Sequence, residues 1–267
     1  MGNQGSQQQR HFVLGVVGIS LAVFVGMVLF IELGRRMGVY EIAVHGADAV
    51  SGVGRVNGAV FALFGLLVGF TFNGAAARYD SRRNLIGNEL NSIGTAWERI
   101  DLLPSEMQDP IRAGFRGYVD TLVAARTTPA GIRESLRESA EAERARTELW
   151  SASVAACVQP AGEKARMMLL PALSELFSLV ERERHARRIH PPKVIYVMLG
   201  LTALTASVFA GYGMAAASGR NWLYIVGVAA AIAIAGYVII DLEYPRMGLI
   251  RVDEFDRDLV ELRSRLN

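Results

Sequence analysis

Apolar and polar positions fall in long blocks along this chain, not in the alternation of a β-strand. Four apolar runs, residues 12–31, 56–77, 194–217 and 222–240, carry no charge in their interiors. Each is about twenty residues or slightly more, the length at which an α-helix crosses the hydrocarbon core of a bilayer. Backbone groups in lipid must bond within their own segment, so such runs predict helices. Between the second and third runs the pattern changes to an apolar stripe at helical spacing. Ile86, Leu90, Ile93, Trp97 and Ile100 share one face, opposite Asn84, Asn88, Asn91 and Thr95. Pro104 ends that stretch, and Asp109-Pro110 reads as a cap and first-turn proline before Ile111, Phe115, Tyr118 and Leu122. A third helix is expected from about Ile132 to Val158, supported by local Glu–Arg pairs, and a fourth from Pro171, stopped by His190-Pro191-Pro192.

These elements predict an all-α, polytopic membrane protein: two transmembrane helical hairpins flanking a cytoplasmic α-helical domain. The expected divisions are a cytoplasmic N-terminus (1–11), a first transmembrane hairpin (12–77, spans 12–31 and 56–77), the cytoplasmic helical domain (78–192), a second hairpin (193–241, spans 194–217 and 222–240) and a cytoplasmic C-terminal tail (242–267). Arginine placement sets the orientation. One side carries Arg10, Arg78, Arg82, Arg83, Arg182, Arg184, Arg187, Arg188, Lys193, Arg246 and Arg251; the other carries only Arg35, Arg36, Arg55 and Arg220. Both termini are therefore expected in the cytoplasm. The first run is too long for a signal-peptide core and reads as a retained span.

Composition agrees, with 51% hydrophobic residues, high for a soluble protein. The net charge of +2 gives no case for a nucleic-acid partner. Lysine is confined to Lys164 and Lys193, the rest of the basic charge being arginine, which hints at a bacterial source and so the inner membrane. Cys157 stands alone, which excludes an intrachain disulfide and paired-thiol chemistry.

The second run contains a further pattern. Gly58, Gly65, Gly69, Gly87 and Gly94 fall within roughly 20° of one line at about 100° per residue. Small residues on one face let another backbone approach closely. Two readings stay open: close helix packing within the bundle, or a face that lines or adjoins a central pathway in a homo-oligomer. The first and third runs carry small stripes too, at Gly15, Gly18, Ala22 and Gly26 and at Gly200, Ala203, Ser207 and Gly211.

Catalytic signatures do not emerge. His185 and His190 are too far apart to share a helix face as metal ligands do, and read as surface residues. Gly52-Val53-Gly54 lacks the strand–turn–helix setting of a nucleotide fingerprint, and neither a phosphate-binding lysine loop nor a nucleophile elbow is present. The acidic stretch Asp253, Glu254, Asp256 and Asp258 does not follow a calcium-loop pattern and reads as a solvated tail. No metal, no cofactor and no enzymatic activity are expected. Ion-coupled transport is disfavoured because no Asp, Glu, Lys or Arg lies inside a span. A passive pore needs none, and apolar side chains such as Phe70 and Phe72 can gate one by dewetting.

The stretch Gly69-Phe70-Thr71-Phe72, followed by Arg78-Tyr79-Asp80-Ser81-Arg82-Arg83, resembles the bacterial bestrophin-like family, a domain of unknown function. The likeness continues through Asn88-Glu89-Leu90-Asn91-Ser92-Ile93-Gly94-Thr95-Ala96 and Arg99-Ile100-Asp101-Leu102-Leu103-Pro104, and resumes at Asp241-Leu242-Glu243-Tyr244-Pro245-Arg246-Met247-Gly248. Arg78, Asp80, Arg82, Arg83, Glu89, Asn91, Gly94, Thr95, Arg99, Asp241, Pro245 and Gly248 carry the motif. By distant likeness to bestrophins, the resemblance implies a homo-oligomeric anion channel with the second span lining the pore. Phe70, Phe72 and Asn73 would then be pore candidates, with membrane lipids and small anions as partners. The alternative is a non-conducting membrane scaffold whose cytoplasmic helices bind a partner protein.

Overall fold

A computed structural model describes residues 3–46, 53–127, 132–217, 219–244, 248–249 and 253–266. Gly52, Pro245, Arg246 and Arg251 lie outside the described residues, as do the side chains of Asp253, Glu254 and Asp256. Among the described residues every regular element is an α-helix: α1 (Asn3–His45), α2 (Val53–Ile100), α3 (Ser105–Thr127), α4 (Ile132–Val158), α5 (Glu163–Arg188), α6 (Lys193–Gly213), α7 (Trp222–Glu243) and α8 (Asp253–Arg265). Four helices, α1, α2, α6 and α7, are long and apolar enough to cross a membrane; α6 ends at Gly213, four residues short of the end of the third apolar run.

The helix ends follow from local chemistry. Gly46 closes α1 with φ +86°, a conformation that favours glycine, and its amide donates to Ile42 O at 2.9 Å. The side chain of Asn221 caps α7 by accepting from Tyr224 N at 3.2 Å. Two starts differ from the sequence expectation. α3 begins at Ser105, not at Asp109, and α5 begins at Glu163, not at Pro171, so each proline sits inside its helix. A proline removes one amide donor, and in α5 the apolar residues before it carry the helix past the defect: Leu169 is fully buried. Arg99 donates to Met168 O at 2.9 Å in the turn that Pro171 disturbs.

The chain divides into two compact units: residues 80–189 with the end segments 1–5 and 251–267, and residues 6–79 with 190–250. The first is organised around an apolar core of Ile93, Ile100, Phe115, Tyr118, Leu149, Leu173 and Leu176. Tyr118 meets Phe177 edge-on with ring centroids 5.3 Å apart. The segment read as a solvated tail contributes α8, which packs on α3. Leu259 and Leu266 are buried there, and Arg263 bonds both carboxylate oxygens of Asp120, one at 2.9 Å. Its acidic first turn hid a short apolar stripe (Leu259, Leu262, Leu266) that needs another helix to be covered.

The second unit holds the four apolar helices, with Met27, Phe64, Ala203 and Ala229 at its centre. α1 and α6 touch through their backbones. A methyl group on Gly34 would collide with Val208 O, and one on Gly211 with Ile31 O. Ala203 and Ser207, on the same stripe of α6 as Gly211, are buried, whereas Gly15, Gly18 and Gly200 have nothing within 4 Å among the described residues.

Candidate functional site

Two features of the structure invite a functional reading: the uncovered face of α2 and the polar cluster at the end of α7. The buried positions of α2 are Phe64 and Ala75 in one unit, and Arg82, Ile86, Glu89, Ser92, Ile93, Ala96 and Ile100 in the other. On an ideal helix the glycine line lies roughly 110° round from the centre of that face. Gly58, Gly65 and Gly69 are accordingly exposed, and Gly87 and Gly94 half-buried. A methyl group at Gly58, Gly65, Gly69, Gly87 or Gly94 would meet nothing within 4 Å among the described residues. Among the described residues none of these five glycines is in close contact with another part of the chain. The close approaches occur instead at Gly34, Gly38 and Gly211.

The three pore candidates share this uncovered condition. Phe70 is 67% and Phe72 45% exposed, and Asn73 is exposed and makes no hydrogen bond among the described residues. Asn73 and Phe72 flank the glycine line; Phe70 stands further round. A carboxamide without a partner is expensive in lipid, so an exposed asparagine inside an apolar run calls for water or another chain beside it.

The polar cluster is built from motif residues that sequence reasoning could name but not bring together. Asp241, at the end of α7, is buried, and both its oxygens accept from Leu249 N, at 2.9 and 3.1 Å. Gly248 lies so close to that carboxylate that any side chain there would strike it. Two residues on, Glu243 is also buried. Arg78 of α2 donates to its Oε1 from Nε at 2.7 Å. Sequence reasoning missed the role of Glu243. His190 is exposed, as the sequence reading expected, and its ring stacks on Tyr244 with centroids 4.8 Å apart. The available signal was the pair of acids two apart at the end of an apolar run, facing the first arginine after another.

Other motif residues serve the unit of residues 80–189. Arg82 is buried and grips the end of α5, donating from Nε to Ala186 O at 3.2 Å and from Nη2 to Ile189 O at 2.8 Å. Glu89 is fully buried beneath Tyr118, and its negative charge adds to burial in raising the phenol above its ordinary range. Asp80, Arg83, Asn91 and Thr95 are exposed, Gly94 is half-buried, and Pro245 is outside the described residues. Among the described residues no group of three His, Cys, Asp or Glu is placed to hold a metal.

Four helices long and apolar enough to cross a membrane, with Arg82, Asp241 and Glu243 buried outside the apolar runs, are the features of an α-helical membrane protein. The chain belongs to the bestrophin-like family: the family described as Bestrophin-like domain matches residues 47–254. Comparison with curated proteins and with solved structures returns no match.

Proposed function

We propose that this bestrophin-like membrane protein forms a homo-oligomeric, anion-permeable pore around α2 in the bacterial inner membrane. In this reading two transmembrane hairpins, 12–77 and 193–241, flank a cytoplasmic domain, 78–192, and both termini are cytoplasmic. The protein acts on small anions without covalent catalysis or a cofactor, with membrane lipid as its other partner. The observation that carries the reading is the uncovered face of α2, where, among the described residues, a methyl group at Gly58, Gly65 or Gly69 would meet nothing within 4 Å and the exposed Asn73 makes no hydrogen bond. Glycines favour close approach of a second copy, and water in a shared pathway satisfies the amide. Phe70 and Phe72 supply the apolar constriction that gates by dewetting.

A second reading, a non-conducting scaffold for a partner protein, is favoured by an open cleft of about 920 Å³ between α4 and α5. Trp150 and Phe177 line it together with Arg146, Arg182 and His185. One experiment separates the two. The purified protein is reconstituted in liposomes and anion flux is recorded for wild type, Phe70→Ala and Phe72→Ala. The pore reading expects flux in wild type and a changed rate in at least one variant. No flux, or flux indifferent to both changes, overturns it in favour of the scaffold.

A further inference from the structure

At one end of the apolar helices three arginines converge on a single carboxylate. Between the first and second apolar runs, and between the third and fourth, the basic side chains are Arg35, Arg36, Arg55 and Arg220, with no lysine. Three of these four meet at Glu32. Its Oε2 accepts from Arg35 Nε at 3.3 Å, and its Oε1 from Arg36 Nε at 3.0 Å and from Arg220 Nη2 at 2.9 Å. One carboxylate offsets one of three guanidiniums, and like charges this close repel. The next acid along α1, Glu41, is held by His45 at 2.9 Å, and Asp48 lies outside the described residues. The cluster stands level with apolar residues, not beyond them. A methyl group on Gly34 would strike Val208 O, and one on Gly211 would strike Ile31 O and Arg35 N, so Glu32 and Arg35 lie beside the last turns of α6. Exposed apolar side chains flank it: Met37 and Tyr40 on α1, Trp222 and Leu223 at the start of α7. The Arg220 guanidinium lies 5.9 Å from the centroid of the Trp222 ring, and tryptophan and tyrosine favour the headgroup level of a bilayer.

We propose that Arg35, Arg36 and Arg220, gathered by Glu32, bind the phosphate of an anionic phospholipid. The excess of basic residues that orients a membrane protein lies on the opposite side, so topology does not account for this cluster. A structural tie does not account for it either. Arg220 alone joins the connection before α7 to Glu32, while Arg35 and Arg36 bond Glu32 within their own helix and add only repulsion. A phosphate supplies the missing negative charge. Each guanidinium meets Glu32 through one nitrogen, and the others present N–H donors in the planar fork that suits phosphate oxygens. The acyl chains of a lipid held there run along the exposed apolar side chains beside it. The site is independent of whether the protein conducts.

The test uses Trp222 as a local probe in the full-length protein, in mixed micelles of detergent with phosphatidylglycerol or phosphatidylcholine. Both lipids carry the same brominated acyl chains, which quench a nearby indole, and subtracting the signal of Trp222→Phe removes the contribution of Trp97 and Trp150. Half-quenching in wild type is expected at about five- to tenfold less phosphatidylglycerol than phosphatidylcholine. That ratio should fall in Arg36→Gln, whose side chain is largely exposed, and approach one in the double variant Arg36→Gln/Arg220→Gln. Glu32→Gln raises the positive charge and is expected to keep or enlarge the ratio; a ratio lost there marks the cluster as a tie between elements and overturns the site. Equal quenching by the two lipids in wild type, or a preference the same in wild type and both arginine variants, also overturns it. Inorganic phosphate separates the remaining source. If it raises the melting temperature of lipid-free wild type but not of the double variant, while the two lipids quench alike, the ligand is a free anion and the lipid assignment falls.

Discussion

Arg82 shows how a motif residue can be conspicuous in the chain while its work stays hidden. As one of three arginines within six residues it reads as a cytoplasmic charge beside a span. Its place in the structure is interior, with its guanidinium divided between Ala186 O and Ile189 O. The last carbonyls of any helix lack amide partners, and a positive group there also meets the negative end of the helix dipole. Replacement by methionine keeps the bulk and removes the donors. Arg82→Met is expected to lower stability by about 1–3 kcal/mol, the cost of leaving buried acceptors unmade. Arg82→Lys should fall between, because a single ammonium cannot reproduce the two-pronged grip. Thermal unfolding followed by circular dichroism checks the order wild type, lysine, methionine. Cys157 sits at the other extreme of legibility. Its solitude excluded a disulfide, and the structure finds it buried, with burial raising the thiol above its ordinary range against a smaller opposing effect of Arg166. Maleimide labelling of the native protein at neutral pH is expected to be slow, and to become complete once denaturant is added.

Helices were legible in the chain to the extent that their reasons are local. The four apolar runs fixed α1, α2, α6 and α7, because twenty apolar residues in a row leave the backbone few alternatives. The expected limits of α4 agree with Ile132–Val158. The starts of α3 and α5 were misplaced because proline was given the power to begin a helix; in α5 the buried Ala165 and Leu169 already lie before Pro171. α8 was missed because its stripe is too short to stand without α3. Least legible was which glycines bring helices together. Stripes of small residues mark α1, α2 and α6 alike, and only three-dimensional contact separates the pair that touches from the face that does not. In α1 and α6, Gly34 and Gly211 bring one helix against the carbonyl of the other. Gly211→Leu and Gly34→Leu should therefore each disrupt the folded monomer. Overpacking alone costs about 1–3 kcal/mol when side chains can shift, and here the obstruction is backbone. Loss of a monodisperse peak on size exclusion in detergent is the expected outcome.

At the scale of the whole molecule, that contrast becomes a test of assembly. Gly65 and Gly69 lie on the same chain as Gly211 and have the same lack of a side chain, yet nothing described stands within 4 Å of them. A leucine at either position has open space in the single chain, so any damage it does must arise between copies. If the bare face of α2 packs against another subunit, Gly65→Leu and Gly69→Leu should leave the protomer folded while dispersing the oligomer. Small residues at such a face are what allow two helix backbones to meet, and a leucine forces them apart. Native mass measurement of the detergent-solubilised variants should then shift to the mass of one chain, while far-ultraviolet circular dichroism and the melting of the unit of residues 80–189 stay as in wild type. A mass unchanged from wild type in both variants would remove close approach of glycines as the basis of assembly. Wild-type protein that already runs as one chain would remove the shared pathway itself, since a pore centred on α2 needs several copies of that helix to enclose it. Asn73 sharpens the point: its exposed amide makes no hydrogen bond among the described residues. In a monomer it must face lipid at a cost of several kcal/mol, whereas in a ring of subunits it faces water or a neighbour. Asn73→Leu is therefore expected to stabilise a dispersed protomer such as Gly69→Leu while altering flux in the assembled protein, two effects of opposite sense that only an oligomer built around this face would produce.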